Sequence, residues 1–273
     1  MIRFKMINLE KNSGLALKLD KEKLELVFGN DVLQVKPDVR TISQMREVLM
    51  DAKLEAQEEL YYMYRGLHRT GDDDKIKKNK LRYDITIIRS GFLGNEFVKT
   101  HGHYHLSSYP ELYEVLWGEA LCLLQRPSKE EPKTIEDVIL VKAKAKEKIV
   151  VLPHYGHIMI NPSSEAPLVT SNWVSSQFNS DYSFYKKAKG AAYFIVNNDG
   201  EINFIKNDFF KEVPEVRTMR PKLPFEQLGI SWERPIYELL EEPEKLDFLN
   251  LPEKYACLNC FREDKSLLSA VVE

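Results

Sequence analysis

With 273 residues, 43% of them apolar and 30% charged, the chain can bury one substantial core. Its net charge of −3 and the lack of a basic face exclude nucleic acid as an expected partner. No run of 18 apolar residues exists, so no membrane partner is expected. The start Met-Ile-Arg-Phe-Lys-Met-Ile lacks the apolar core and cleavage site of a signal peptide. Cys122, Cys257 and Cys260 are too few for a disulfide framework in a chain this long, which suits a reducing compartment. The expectation is a soluble, cytoplasmic protein built as one domain with appendages.

In chain order, residues 1 to 40 alternate apolar and charged positions, as in Leu24-Glu-Leu-Val-Phe28, and predict short strands or an arm lying on the core. A packing helix is predicted next. Thr41 and Gln44 fit a capping box, and Ile42, Met45, Val48, Leu49, Ala52 and Ala56 recur at helical spacing. Leu60 to Tyr64 reads as an aromatic-rich strand, and Gly71 to Lys80, with acidic and basic residues interleaved, as a solvated loop. From Leu81 the chain predicts consecutive short strands: Tyr83 to Ile88, Glu96 to Thr100, Glu111 to Gln125 broken at Gly118, Glu136 to Lys142 and Lys148 to Leu152. His157 to Ile160 and Pro167 to Val174 continue the series, and Ala191 to Val196 and Glu201 to Ile205 flank a hairpin turn at Asn197-Asn-Asp-Gly200. Many strands without intervening helices predict an antiparallel sandwich or barrel. Lys142, Lys144, Lys146 and Lys148 read as a solvated strand edge protected by charge. Beyond about residue 206, prolines 214, 221, 224, 235, 243 and 252 cut the tail into short pieces. Pro235 to Glu242 is its best helix. Cys257-Leu-Asn-Cys260 is a lone C-x-x-C, read as two buried or incidental thiols.

The chemistry lies in the histidines. Of six, five fall in two short segments, at 101, 103, 105, 154 and 157. His103 and His105 stand two apart, so on a strand both imidazoles face one side, and Glu111 and Tyr113 repeat that spacing on the next strand. His157 offers a third nitrogen from far along the chain. Three imidazoles and one carboxylate converging on a point make a first-row transition-metal site with room for water or substrate. His101 precedes Gly102, where the backbone can turn, and His154 follows Pro153 in a turn, so both are placed outside the ligand set.

These residues carry a resemblance. His103-Tyr-His105, Glu111 and Gly118 resemble the first cupin motif, and Pro153 to Asn161 resembles the second. The stretch Gly91-Phe-Leu-Gly-Asn-Glu-Phe-Val-Lys-Thr-His-Gly-His-Tyr-His105 and Glu111-Leu-Tyr-Glu-Val-Leu-Trp-Gly118 resemble, more narrowly, the cupin-type glucose-6-phosphate isomerases of archaea and some bacteria, over roughly residues 40 to 206. The resemblance implies a mainly β cupin fold, a double-stranded β-helix or jelly-roll barrel, with an N-terminal helix and arm and a short-helix C-terminal extension. The implied division is an arm at 1–40, an isomerase domain at 41–206 and an extension at 207–273.

The resemblance also implies metal ligands at His103, His105, Glu111 and His157, and one divalent ion per chain. Iron(II) is the family's ion, with manganese, nickel, cobalt or zinc as substitutes. It implies a phosphate site at Thr86, Thr100 and the Gly102 amide, and active-site tyrosines at Tyr61, Tyr113 and Tyr182. Glu111 is expected to serve as general base as well as ligand, and the partners are a small sugar phosphate and a second copy of the chain in a homodimer. The chain departs from the pattern twice. One residue fewer separates His105 from Glu111, and Asn172 to Ser180 lacks the tyrosine and histidine that precede the position of Tyr182. Another metallo-cupin enzyme, a sugar-phosphate epimerase or iron dioxygenase, and a non-catalytic sugar-phosphate sensor stay open beside the isomerase.

Overall fold

A computed structural model of the chain describes residues 5–55, 58–222, 225, 228–255 and 260–264. Two sheets dominate it. The first runs in spatial order Lys148–Val151, Glu111–Trp117, Leu168–Ser175, Leu81–Ile88, Glu59–Arg65 and Asp38–Thr41, each pair antiparallel. The second runs Gly156–Ile160, Glu119–Pro127, Ile135–Lys144, Arg217–Pro221 and Phe261–Glu263, with one parallel pairing, between Ile135–Lys144 and Arg217–Pro221. The segment before Glu111 joins the second sheet through bridges from Lys99 to Ile160 and from His103 to His157. Along the chain the segments at 81–88, 99–103, 111–117 and 119–127 alternate between the two sheets, and those at 148–151, 156–160 and 168–175 do so again. That winding is the double-stranded β-helix of the cupins.

The strand period of two sorts the Glu111–Trp117 strand into two buried faces. Tyr113 and Val115 join the apolar cluster between the sheets, and Leu112 and Leu116 join a second cluster on the outer face. The arm and the tail build that second cluster. Leu9, Leu15, Leu17 and Leu19 from the arm and Ile236, Tyr237, Leu240 and Phe248 from the tail pack with Tyr83, Ile85 and Trp173 of the sheet. The Trp173 indole N–H donates to the Ile236 carbonyl at 2.8 Å, which fixes the tail's register on the sheet. The arm forms its own three-stranded sheet of Met6–Asn8, Leu17–Asp20 and Glu25–Phe28, as expected.

Several local expectations need correction. The helix predicted from Thr41 is the four-residue Ile42–Met45 followed by a 3-10 turn at Arg46–Val48, and Leu49 is already extended. Gln44 accepts from the Thr41 amide at 3.1 Å, so the cap is real. Tertiary bonds then take the backbone: the buried Lys99 ammonium donates to the Val48 carbonyl at 2.8 Å and Glu96 accepts from the Met50 amide at 3.1 Å. Ala56 lies outside the described residues. The loop predicted at Gly71 to Lys80 contains the helix Asp73–Lys78, whose acids stand in the first turn and lysines in the last, complementing the helix dipole around the buried Ile76. The lysine run is only partly solvated: Lys144 and Lys146 are exposed, but Lys148, although it opens the edge strand Lys148–Val151, is buried with Glu114. Pro235 to Glu242 forms a 3-10 helix, Ile236–Glu241. Cys260 is a buried free thiol, whereas Cys257 and Pro224 lie outside the described residues.

Candidate active site

The predicted ligands come from three pieces of the winding. His103 bridges to His157, and Tyr104–His105 pairs with Ser180–Asp181. The connection to Glu111 reverses through Ser107 and Ser108, at φ 62° and 60°, a backbone region that L residues seldom occupy. Glu111 then opens its strand on the other sheet, opposite Val174 and Val151. The result brings one ligand atom from each of His103, His105, Glu111 and His157 to within 4.8 Å of one another.

The contacts inside this group decide what it can hold. His105 Nδ1 lies 2.6 Å from the Tyr109 carbonyl, an acceptor only, so Nδ1 carries the proton and Nε2 presents its lone pair. That Nε2 is 3.2 Å from His103 Nε2 and 3.1 Å from Glu111 Oε2, and His157 Nε2 is 3.3 Å from the same oxygen. Glu111 Oε2 is buried without a hydrogen-bond donor. Lone pairs facing one another at this range repel unless a cation lies between them. Donors about 3 Å apart are also what neighbouring ligands require when each bond to a divalent ion is about 2.1 Å long. The donor set therefore fits such an ion.

Protonation agrees. Burial first, then the two neighbouring imidazoles, hold His103 well below the ordinary histidine range, and burial lowers His157 as well. Burial pushes the Glu111 carboxyl up, but His105 and His157 beside it more than reverse this and keep it well below the usual carboxylate range. Tyr113, raised by burial and then by Glu111, stays a neutral phenol 3.2 Å from His157 Nε2. Two imidazoles held neutral and a carboxylate held charged suit a divalent cation, which binds deprotonated donors.

All ten residues singled out in the sequence line one cavity of about 360 Å³. Thr86 stands on its wall. Thr100 accepts the Met159 amide through Oγ1 at 2.9 Å, which leaves its hydroxyl proton free to donate. Gly102, at φ +79°, has no room for a Cβ: it would stand 2.6 Å from Ile158 Cγ1. The Tyr61 hydroxyl accepts the His101 amide at 3.2 Å, so it braces the segment carrying Gly102, and burial pushes its pKa up to about 12. Tyr182 packs its ring against His101 and His103 at 5.2 and 5.4 Å. His101 is turned to the Gly102 carbonyl and His154 to Ser108, outside the four-residue cluster as expected. The sequence reading missed Arg65, Arg82, Asp84 and Asn172, which share the cavity. Parity held the signal: Arg65 follows Tyr61 by four positions, and Asp84 precedes Thr86 by two.

Comparison with known proteins matches the chain to a family. A family model described as glucose-6-phosphate isomerase (GPI) matches residues 37–211. A glucose-6-phosphate isomerase of Thermococcus gammatolerans is 26% identical over 180 residues, covering 62% of this chain and 85% of the relative. Those of Pyrococcus abyssi and Thermococcus litoralis are 24% and 25% identical, over 64% and 66% of this chain and 89% and 90% of theirs. With the match spanning more than half of its length, and taking in both motif segments of the cavity, the chain belongs to the glucose-6-phosphate isomerase family.

Proposed function

We propose that this chain is a metal-dependent aldose–ketose isomerase that interconverts glucose 6-phosphate and fructose 6-phosphate. The observation that carries the reading is the buried, donor-deficient cluster of His103, His105, Glu111 and His157 in the wall of a polar cavity. Those four residues hold one divalent ion, iron(II) first, with manganese, nickel, cobalt or zinc accepted by the same donors. An ion held there supplies Lewis acidity toward the oxygens of the open-chain sugar. Glu111 takes the proton from C2 and returns it at C1. Tyr113, a neutral phenol, moves the hydroxyl proton from O2 to O1. Thr86, Thr100 and the Gly102 amide take the phosphate, which anchors the substrate so that its reactive end meets Glu111. Tyr61 braces the Gly102 segment and Tyr182 closes the cavity beside His103. Residues 41–206 carry the chemistry, and a cytoplasmic homodimer is the setting this reading expects.

The test is the product formed from glucose 6-phosphate by the purified, metal-loaded protein. Fructose 6-phosphate, with glucose turned over far more slowly, is the expected result. Mannose 6-phosphate alone would identify an epimerase, oxygen uptake a dioxygenase, and tight binding without turnover a sensor.

A further inference from the structure

The cavity contains a cation that the phosphate site outlined above does not use. Arg65 and Asp84 are opposite each other in register, and Met63 is opposite Thr86, so Arg65 is the diagonal neighbour of Thr86 across the strand pair. Diagonal neighbours are about 7–8 Å apart, within the reach of an arginine side chain. Asp84, 4% exposed, is occupied by Arg82: Nε lies 3.0 and 2.9 Å from its two oxygens and one terminal nitrogen 2.9 Å from Oδ2. The Gly66 amide adds a fourth contact at 2.9 Å. Arg82 and Asp84 thus cancel each other.

Arg65 is held more loosely, by ion pairs to Asp38 and Asp84 with a hydrogen bond only to the former. Its Nε donates to Asp38 at 3.0 Å, but the Asp38 side chain is 70% exposed, where solvent screens the pair. A terminal nitrogen of Arg65 touches Met63 Sδ at 3.2 Å, and the other stands 3.8 Å from Asp84, beyond hydrogen-bond range. Arg65 lines the same cavity as Thr86, Thr100 and Gly102. A phosphate monoester brings about −1.5 to −2 charges at neutral pH, and threonine hydroxyls and a glycine amide supply hydrogen bonds without countercharge.

We infer that Arg65 binds the phosphate of the substrate beside Thr86 and sets the preference for phosphorylated sugars. Naming the anion as a sugar phosphate rests on the isomerase reading; the anion site itself does not.

Two measurements separate the two. Inorganic phosphate is titrated by calorimetry into metal-loaded wild type, Arg65→Met and Arg65→Lys, and steady-state constants for glucose 6-phosphate are measured on the same samples. Arg65→Met should bind phosphate at least tenfold more weakly and raise KM at least tenfold, with kcat falling by a smaller factor and metal content unchanged. Arg65→Lys should lie between, having the charge without the fork. Wild-type phosphate affinity should also fall with added salt. Unchanged phosphate affinity and KM in Arg65→Met overturn the assignment. If that variant does not fold, wild-type values in Arg65→Lys together with a salt-independent phosphate affinity overturn it equally. Phosphate binding that depends on Arg65 in a protein that isomerises nothing would refute the isomerase and leave the anion site standing.

Discussion

Lys148→Met should destabilise the protein by about 3 kcal/mol at neutral pH, because it strips the partner from a fully buried carboxylate. Glu114 and Lys148 face each other across adjacent strands, 2.9 Å apart, each side chain 1% exposed. They also hold the tail: Glu114 Oε2 accepts the Ile236 amide at 2.8 Å and the ammonium donates to the Trp232 carbonyl at 3.1 Å. Methionine keeps the length and apolar stem of lysine, so the loss is charge and hydrogen bonds rather than packing. Removing one partner of a buried pair costs about 3–5 kcal/mol, and the low end applies because Glu114 can escape by taking a proton.

Burial raises the Glu114 carboxyl to about 7 even with Lys148 and the Ile236 amide opposing it. The native state therefore binds a proton that the unfolded chain has released. That contribution to stability is complete below the ordinary carboxylate value and lost as pH rises through about 7. Without Lys148 the folded value rises further. The deficit of the variant should then be small at pH 5, where Glu114 is neutral in both proteins, and grow by pH 8. Urea denaturation at the two pH values measures it. The double variant Glu114→Leu with Lys148→Met should recover part of the loss, since an apolar pair needs no countercharge but leaves the Ile236 amide and Trp232 carbonyl without these partners. A deficit under about 1 kcal/mol at pH 8, or one equal at both pH values, would refute the reasoning.

Gly102→Ala should cost about 2–4 kcal/mol in the same assay, combining a left-handed backbone with the 2.6 Å clash on Ile158. Gly66→Ala, at φ +69° with open space around it, should cost about 1–2 kcal/mol and serves as the control. Equal losses would show that packing at Gly102 is irrelevant. Isomerisation in deuterated water, followed by NMR of the product, should place deuterium at the migrating position if Glu111 carries the proton. Complete retention of protium over many turnovers would instead favour transfer of hydride between the carbons.

The histidine cluster was readable because a strand repeats every two residues. His103 with His105, and Glu111 with Tyr113, needed only that parity, and the winding of the barrel brought in His157. Contacts distant in sequence were harder to see. Lys148 looked like part of a charged edge, yet Glu114 and the tail backbone bury it, and nothing within the 142–148 run announces a partner at 114 or 232. The helix after Thr41 was overextended because Ala52 and Ala56 fit its period. Lys99 and Glu96 take the Val48 carbonyl and the Met50 amide that a longer helix would have used. The Asp73–Lys78 helix was legible in its order, acids before lysines, but the density of charge pointed to a solvated loop. Arg65 and Asp84 share parity with Tyr61 and Thr86, yet the interest of a charged residue on a strand appears only when the facing wall is known.

The most direct test is to follow metal content and isomerase activity together, by elemental analysis and by the rate of fructose 6-phosphate formation, in wild type, chelator-treated wild type and His157→Ala. Wild type should carry about one divalent ion per chain, in keeping with its single cluster of three imidazoles and a carboxylate among the described residues. Chelation should abolish both ion and activity, re-addition of iron(II) should restore both, and His157→Ala should lose both. Full metal content in His157→Ala, or full activity in the metal-free protein, would contradict the site described here.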